Sequence, residues 1–227
     1  MTTNSDRRRA RELAAEYAGK GDPTGWFEVL YKEAEAGKSI VPWADRGGNS
    51  SLIEFWSVNP QPTGGKQALV IACGLGYDSE QLAAWGFETT AFDISETAMR
   101  AARKRFPKSE VRYLVADLFE PPAEWAAKFD FVFEANTVQA LPASIRAKAI
   151  HRIAGFVKPG GKLLAIVRGR EIDEPEGEPP WPLTRAELAE FSRAGLTEET
   201  FEEYFDTEEP PARRYRVLYG RKKEDMK

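Results

Sequence analysis

Glycines and acidic residues occur at four places where apolar runs end, and together they could bind an adenosine-containing ligand. Gly74 and Gly76 follow one apolar run and precede a helical pattern, so the backbone there can approach a ligand closely. Asp93 ends the second run, where a carboxylate can accept both ribose hydroxyls. Asp117 and Glu134 follow the third and fourth runs. Each acid alone is more often a cap or turn residue, but four such positions at successive strand ends predict a ligand site.

The base of such a ligand has predicted contacts of its own. Asp117 could accept a hydrogen bond from an adenine amino group while Ile94 and Leu118 sandwich the ring. A dinucleotide site does not fit, because the position that G-x-G-x-x-G/A requires as glycine or alanine, counted from Gly74, holds Ser79. The sequence after the first apolar run also lacks the G-K-[ST] of a phosphate-binding loop.

Groups suited to acid–base or metal chemistry are few. The chain has one histidine, His151, and one cysteine, Cys73, so neither a zinc site nor an internal disulfide is expected and no metal is predicted. Cys73 lies within the glycine loop, where small size explains it better than nucleophilicity. Arg168, at the end of the fifth apolar run, is a candidate anchor for an anionic group. The candidates for a general base are Tyr31, Asp45, Glu134 and Tyr77.

These residues require a framework of alternating strands and helices. Caps and periodicity predict helices in the first part of the chain, including one that Thr24 caps and that carries Trp26. Pro159-Gly160-Gly161 is expected to end a later helix before the fifth strand begins. Ser95 is predicted to cap the helix that follows the second strand, and Thr184 and Glu187 form a predicted capping box. Strands are predicted at 67–72, 87–92, 111–115, 129–133, 162–167, 200–205 and 215–220, with helices at 78–85, 95–106 and 144–156.

This order predicts an α/β fold with a Rossmann-like, seven-stranded, mostly parallel sheet, a C-terminal antiparallel hairpin and an N-terminal helical lid. Three segments are expected: a helical cap at 1–66, a main domain at 67–221 and a tail at 222–227.

Composition bears on the partners of the chain. A net charge of -4 indicates no nucleic-acid footprint, and the short Arg7-Arg8-Arg9 run is expected to be a solvated helix face. No apolar stretch approaches the roughly 20 residues that span a bilayer, and the polar N-terminus does not fit a secretory signal. We therefore expect a cytoplasmic protein, monomeric or weakly dimeric, with no membrane or nucleic-acid partner.

Five segments together resemble class I S-adenosylmethionine-dependent methyltransferases: ALVIACGLGYDSEQLA, FETTAFDISETAMRAA, VADLF, FDFVFEANTVQALP and VKPGGKLLAIV. Within that class the chain is most similar to the thiopurine methyltransferase-like superfamily, which includes halide and thiol methyltransferases. The shared features are an aromatic-rich N-terminal segment ending in Pro42-Trp43, the loop from Cys73 to Asp78, and Phe92-Asp93-Ile94-Ser95. Ala72 stands where the family usually has the first glycine of the loop.

The resemblance implies S-adenosylmethionine as cofactor, S-adenosylhomocysteine as product, and 67–221 as the methyltransferase domain. It implies a small-molecule acceptor, with a thiol, another chalcogen or a halide favoured. A small-molecule O- or N-methyltransferase and a non-catalytic cofactor-binding protein are the alternatives. Trp26 and Trp43 would form a lid over the methionine end of the cofactor. The implied cofactor contacts are Trp26, Trp43, Ala72, Gly74, Gly76, Asp93, Ile94, Asp117, Leu118 and Glu134.

Overall fold

The computed structural model describes residues 4–44 and 47–223. Its helices are α1 Asn4–Gly19, α2 Trp26–Glu35, α3 Ser50–Val58, α4 Tyr77–Ala84, α5 Glu96–Arg105, α6 Ala143–Phe156, α7 Arg185–Leu188 and α8 Glu190–Arg193. Its strands are β1 Gln67–Val70, β2 Glu88–Asp93, β3 Arg112–Val115, β4 Phe129–Ala135, β5 Val157–Arg168, β6 Thr197–Phe205 and β7 Arg213–Gly220.

The seven strands form one sheet in the order β3-β2-β1-β4-β5-β7-β6. The first five strands pair in parallel, β7 pairs antiparallel with β5, and β6 pairs antiparallel with β7. The predicted Rossmann-like sheet with a terminal hairpin is therefore confirmed. The carboxyl ends of the five parallel strands lie at the same edge, which is where such sheets bind ligands.

The sheet is covered on both faces, so its central strands alternate between two hydrophobic clusters. Leu69 of β1 packs in the cluster that includes α6 residues, whereas Ala68 and Val70 pack in the cluster that includes residues of α3 and α5. In β5, Leu163 and Leu164 alternate in the same way. This period of two decides which side chains near the strand ends point toward which face.

The N-terminal segment is helical, as predicted, but its second helix begins later than expected. Thr24 does not cap α2, which instead begins after Gly25. The reason is a local turn in which Asp22 Oδ1 accepts hydrogen bonds from the backbone N–H groups of Thr24 and Gly25, at 3.4 and 2.9 Å. This places Trp26 at the first residue of the helix, buried and packed on Phe27.

The fifth strand differs from the prediction because it begins at Val157, before Pro159-Gly160-Gly161. The irregular start is tolerated because Phe129 pairs with Val157, and the register of β4 with β5 then shifts before Phe131 pairs with Lys162. Gly160 has a φ of 77°, and its N–H donates to the carbonyl of Arg221. The prolyl-glycyl segment is thus a bend at the start of the strand rather than a break before it.

Two predicted caps are confirmed. The Ser95 side chain accepts from the N–H of Ala98 at the start of α5. Thr184 and Glu187 form the reciprocal capping box of α7. Within the described ranges, none of the helices combines the length and the apolar character that crossing a membrane requires.

Candidate functional site

A cavity of about 480 Å³ opens at the carboxyl edge of the parallel strands. It is lined by the loops that follow β1 to β5, by α1 and α2, and by residues 42–44 and 206–208. The cavity brings together nine of the residues predicted as cofactor contacts, namely Trp26, Trp43, Ala72, Gly74, Gly76, Asp93, Ile94, Asp117 and Leu118. Glu134 is not among the lining residues.

The loop after β1 reverses direction through three left-handed residues. Ala72, Gly74 and Gly76 have φ values of 46°, 53° and 88°. Hydrogen bonds from Cys73 N to Phe92 O, at 2.8 Å, and from Gly76 N to Cys73 O, at 3.0 Å, hold this shape. A side chain at Gly74 would place its Cβ 2.8 Å from the hydroxyl oxygen of Tyr31. The loop therefore needs glycine at 74 both for its backbone conformation and for space.

Asp93 joins the end of β2 to this loop. Its Oδ2 accepts from the N–H of Gly74 at 3.0 Å, and its Oδ1 accepts from the N–H of Ser95 at 2.9 Å. Burial raises the pKa of Asp93 to about 6, although these hydrogen bonds oppose the shift. A carboxylate has about four acceptor positions, so two amide bonds leave capacity for further donors from the cavity.

The loop after β3 presents its residues to the same cavity. Asp117 and Leu118 line it, as does Ile94 after β2. Asp117 Oδ1 accepts from the N–H of Phe119 at 2.8 Å, which fixes the turn. An apolar pair next to a carboxylate suits a flat heteroaromatic ring with an amino group.

Four aromatic side chains from the N-terminal segment line the cavity, namely Trp26, Phe27, Tyr31 and Trp43. The ring centroids of Trp26 and Trp43 are 5.9 Å apart, in an edge-to-face arrangement. Trp43 Nε1 donates to the hydroxyl oxygen of Tyr31 at 3.1 Å. Burial and the charge of Asp93 raise the pKa of Tyr31 well above its usual value. Tyr31 is therefore suited to donate a hydrogen bond and poorly suited to act as a base.

Glu134 does not line the cavity, and the alternation of side chains along β4 places it on the same face of the sheet as Val132. Val132, two residues earlier, packs in the cluster that includes α6, whereas Phe133 packs on the opposite face. Glu134 is fully buried, and its Oε1 accepts from the N–H groups of Thr137 and Val138 at 2.6 and 3.0 Å. Burial raises the pKa of this carboxyl group to about 7. Oε1 thus closes the turn after β4, whereas Oε2 is buried without a hydrogen-bond partner among the described residues, so the role of Glu134 as a base or cofactor contact stays a prediction.

The remaining candidates for acid–base or nucleophilic chemistry are placed as follows. Asp45 lies outside the described residues. Burial, followed by the charge of Asp93, raises the pKa of the Cys73 thiol well above normal, which favours an unreactive neutral thiol. His151 is exposed, and its Nε2 lies 2.7 Å from Glu190 Oε1. Tyr77 lines the cavity at the start of α4.

A group of charged residues that the sequence did not bring together lies at another part of the cavity. We call it the arginine corner, and it consists of Arg7, Arg168, Asp206, Glu208 and Arg214. Arg7 was expected on a solvated helix face, but it reaches Glu208 at 2.7 Å across 201 residues of sequence. No periodic pattern reveals a contact over that separation, and only the position of Arg168 at a strand end pointed to this corner.

Comparisons with known proteins agree with this geometry. A family model described as thiopurine S-methyltransferase (TPMT) matches residues 33–224. A probable thiol methyltransferase 2 of Arabidopsis thaliana is 31% identical over 184 residues, covering 78% of this chain and 75% of that protein. A thiopurine S-methyltransferase of Vibrio atlanticus is 27% identical over 156 residues, covering 62% and 70%.

A solved structure shows the same fold. The Burkholderia thailandensis 1,6-didemethyltoxoflavin-N1-methyltransferase, with bound 1,6-didemethyltoxoflavin and S-adenosylhomocysteine, has a TM-score of 0.68 at 17% identity, covering 92% of this chain and 90% of that one. Since the family model spans most of the sequence, the chain belongs to the thiopurine S-methyltransferase family and is an S-adenosylmethionine-dependent methyltransferase.

Proposed function

We propose that this enzyme transfers the methyl group of S-adenosylmethionine to the sulfur of a small thiol. The observation that carries the proposal is a cavity that continues from the glycine loop to the arginine corner, in which the described carboxylates accept backbone N–H groups or pair with arginines. The pKa of Tyr31 is raised, and Asp93 is held by the loop. The two sequence relatives named above, both sulfur methyltransferases by name, support the same acceptor class.

The residues around the glycine loop fit the proposed cofactor. Asp93 would accept hydrogen bonds from the ribose hydroxyls, and Asp117 would accept one from the adenine amino group. Ile94 and Leu118 would contact the two sides of the ring. The close approach of Tyr31 to Gly74 makes the Tyr31 hydroxyl a further donor toward the part of the cofactor that crosses the loop. When bound, S-adenosylmethionine supplies an electrophilic methyl group on a sulfonium centre.

The N-terminal segment, residues 1–66, would act as a cap over the domain at 67–221. Trp26 and Trp43 line the cavity from this side, and Trp43 is fixed by its hydrogen bond to Tyr31. Their rings would exclude water from the transferring methyl group and orient the acceptor for an in-line attack.

The acceptor class follows from the ionisation that each nucleophile needs. A thiol has a pKa of about 8.5 and is partly ionised near neutral pH, so it can react without a strong base. A phenol or an alkylammonium group has a pKa of about 10 and requires a base to remove its proton. A thiol acceptor therefore needs no general base from the residues that line the cavity.

A panel of thiophenol, phenol and benzylamine tests this proposal, with S-adenosylhomocysteine release as the measurement. We expect kcat/KM for thiophenol to exceed that for phenol and benzylamine by at least about tenfold, which corresponds to about 1.4 kcal/mol in the barrier. Equal or faster methylation of phenol or benzylamine would contradict an S-methyltransferase. Binding of S-adenosylhomocysteine without transfer to any member would favour a non-catalytic protein instead.

A further inference from the structure

The arginine corner contains more positive than negative charge. Its three guanidinium groups face two carboxylates. Asp206 is used by its own turn, because it accepts the N–H groups of Glu208 and Ala212 as well as Nε of Arg214. Glu208 is therefore the one carboxylate of this corner that all three arginines share.

The three arginines differ in how many of their guanidinium nitrogens donate hydrogen bonds within the protein. Arg214 is held by all of its nitrogens, with Nε on Asp206 at 2.6 Å, Nη1 on Asn136 at 3.2 Å and Nη2 on Glu208 at 2.9 Å. Arg168 contacts Glu208 through Nη2. Within the ranges that the structure describes, Nε and Nη1 of Arg168 have no hydrogen-bond acceptor, although its side chain is only 19% exposed and lines the cavity.

The pKa of Arg168 also indicates that its positive charge is incompletely compensated. Burial, opposed by Glu208, lowers the pKa of this guanidinium, and the charges of Arg214 and Arg7 lower it further. A guanidinium stays protonated at any physiological pH, so the shift reports a poorly compensated positive charge rather than a proton loss. A further anion next to Arg168 would stabilise the site.

A second donor lies beside Arg168. The buried side chain of Gln139 lines the cavity, and its Oε1 accepts from the backbone N–H of Arg168 at 2.6 Å. Because Oε1 makes this bond, the amide nitrogen of Gln139 is the group that can still donate a hydrogen bond. This nitrogen has no acceptor among the residues of the described part of the chain.

The order of the strands separates this corner from the predicted ribose contact. Asp93 ends β2 and Arg168 ends β5, and β1 and β4 lie between them. Three strand spacings correspond to about 14 Å along the edge of the sheet. A cofactor that holds Asp93 and crosses the loop after β1 leaves the ends of β4 and β5 for the acceptor.

We propose that Arg168, with Gln139 as a second donor, binds a carboxylate of the methyl acceptor, so that the substrate class is a small thiol that carries a carboxylate. This inference rests on the proposed S-methyltransferase function. Arg168 would offer to the substrate the N–H groups that Glu208 does not occupy. Arg214 would hold Glu208 and Asn136 in place without touching the acceptor.

The kinetic test compares 3-mercaptobenzoate with thiophenol in the wild type, Arg168→Gln, Arg168→Lys and the control Arg213→Gln. Arg213 neighbours Arg214 on β7 but pairs with Glu171 and Glu203 and does not line the cavity. We expect the wild type to prefer the carboxylated thiol, and Arg168→Gln to lower the kcat/KM ratio of the two acceptors by at least about tenfold, mostly through KM. Arg168→Lys should restore part of the ratio, and Arg213→Gln should leave it at the wild-type value.

An equal loss for both acceptors in Arg168→Gln would assign Arg168 a structural role and overturn the inference, as would a wild type without preference for the carboxylated thiol.

A binding experiment distinguishes failure of this inference from failure of the proposed methyl transfer. Calorimetry of benzoate against benzamide, with S-adenosylhomocysteine present, needs no turnover. Benzoate binding that Arg168→Gln weakens supports the anion site even if no thiol is methylated, whereas equal affinity for the two ligands rejects it.

Discussion

At the scale of single residues, the site is dominated by burial around one carboxylate. Asp93 raises the pKa of both Tyr31 and Cys73 by its charge, while burial raises its own pKa to about 6. Two of the three groups are thereby kept neutral, and the third ionises just below neutral pH. The loop is built to receive hydrogen-bond donors from a ligand, and it does not provide a nucleophile of its own.

The pKa of Asp93 predicts how cofactor affinity depends on pH. We expect the ionised carboxylate to accept the ribose hydroxyls, so affinity for S-adenosylhomocysteine should be constant above about pH 7 and fall as the pH decreases through about 6. At about pH 5 roughly a tenth of Asp93 is ionised, so we expect about tenfold weaker binding than at pH 7. Calorimetric titration across this range measures the effect.

Asp93→Asn is the matched control, because the amide keeps an acceptor oxygen but does not titrate. Its affinity should be lower than that of the wild type and nearly independent of pH over the same range. A wild-type affinity that is the same at about pH 5 and about pH 7 would show that Asp93 does not bind the cofactor in its ionised form.

At the scale of elements, one carboxylate of α2 connects that helix to the start of α5. Glu28 of α2 accepts from Ser95 Oγ at 2.5 Å, from Thr97 N at 3.1 Å and from Thr97 Oγ1 at 2.8 Å. These donors lie at the start of α5, directly after the strand that carries Asp93. Burial opposes ionisation of Glu28, but the hydrogen bonds outweigh it and lower its pKa. The position of Trp26 and Tyr31 therefore depends on Glu28.

Glu28→Gln should loosen α2 without unfolding the sheet. A neutral amide replaces a charged acceptor of three bonds, so we expect hydrogen exchange of the amides of α2 to accelerate by about tenfold and the affinity for S-adenosylhomocysteine to fall. Hydrogen–deuterium exchange measured by mass spectrometry on the 26–35 peptide reports the first effect.

The chain offers a matched control on the same two helices. Glu35 of α2 pairs with Arg100 of α5 at 2.8 Å, and both side chains are about half exposed. Glu35→Gln removes an exposed ion pair that contributes at most about 1 kcal/mol, so exchange in α2 should change little. Similar acceleration in both variants would mean that Glu28 contributes no more to holding α2 in place than an exposed ion pair does.

Much of the fold could be predicted from local signals, and the exceptions have physical reasons. The strands follow from apolar runs, and the caps at Ser95 and Thr184 follow from side-chain chemistry within three residues. The start of β5 could not be predicted, because Pro159-Gly160-Gly161 is typical of a break and only pairing with β4 makes it a bend. The face of the sheet on which Glu134 lies depends on the exact register of β4. Sequence patterns locate the ends of a strand only to within a few residues, so they do not fix that face.

The arginine corner was beyond prediction for a different reason. Its members come from α1, from the end of β5, from the turn between β6 and β7 and from β7 itself. They meet only because β7 inserts between β5 and β6, which a sequence-based expectation of a hairpin does not specify.

At the scale of the whole molecule, the cavity joins the N-terminal helices to the C-terminal hairpin. Arg7 of α1 and Arg168 of β5 both contact Glu208 of the β6–β7 turn. Arg11 of α1 also pairs with Glu178 of the loop after β5, at 2.9 Å. A ligand that fills the cavity therefore touches segments that are distant in sequence, and it should stabilise them together.

Ligand binding should accordingly protect the 1–66 segment as well as the sheet. At about 100 times its Kd, S-adenosylhomocysteine should stabilise the protein by about 2.7 kcal/mol and raise Tm by roughly 5–10 °C. Trypsin cleavage at Lys20, Lys32 and Lys38 should slow in parallel, as measured by mass spectrometry of the fragments. A raised Tm with unchanged cleavage at these lysines would show that the N-terminal helices do not cover the bound cofactor.

Ala72 gives the glycine loop a thermodynamic property that a glycine there would not. A left-handed φ of 46° strains an alanine by roughly 1 kcal/mol, and the loop's backbone hydrogen bonds hold it there in the folded protein. A methyl side chain also removes many of the conformations that a glycine would sample before a ligand arrives. The conformational entropy of the loop is therefore lost when the protein folds rather than when the ligand binds. A cofactor that binds at this loop would meet a surface that is already preorganised.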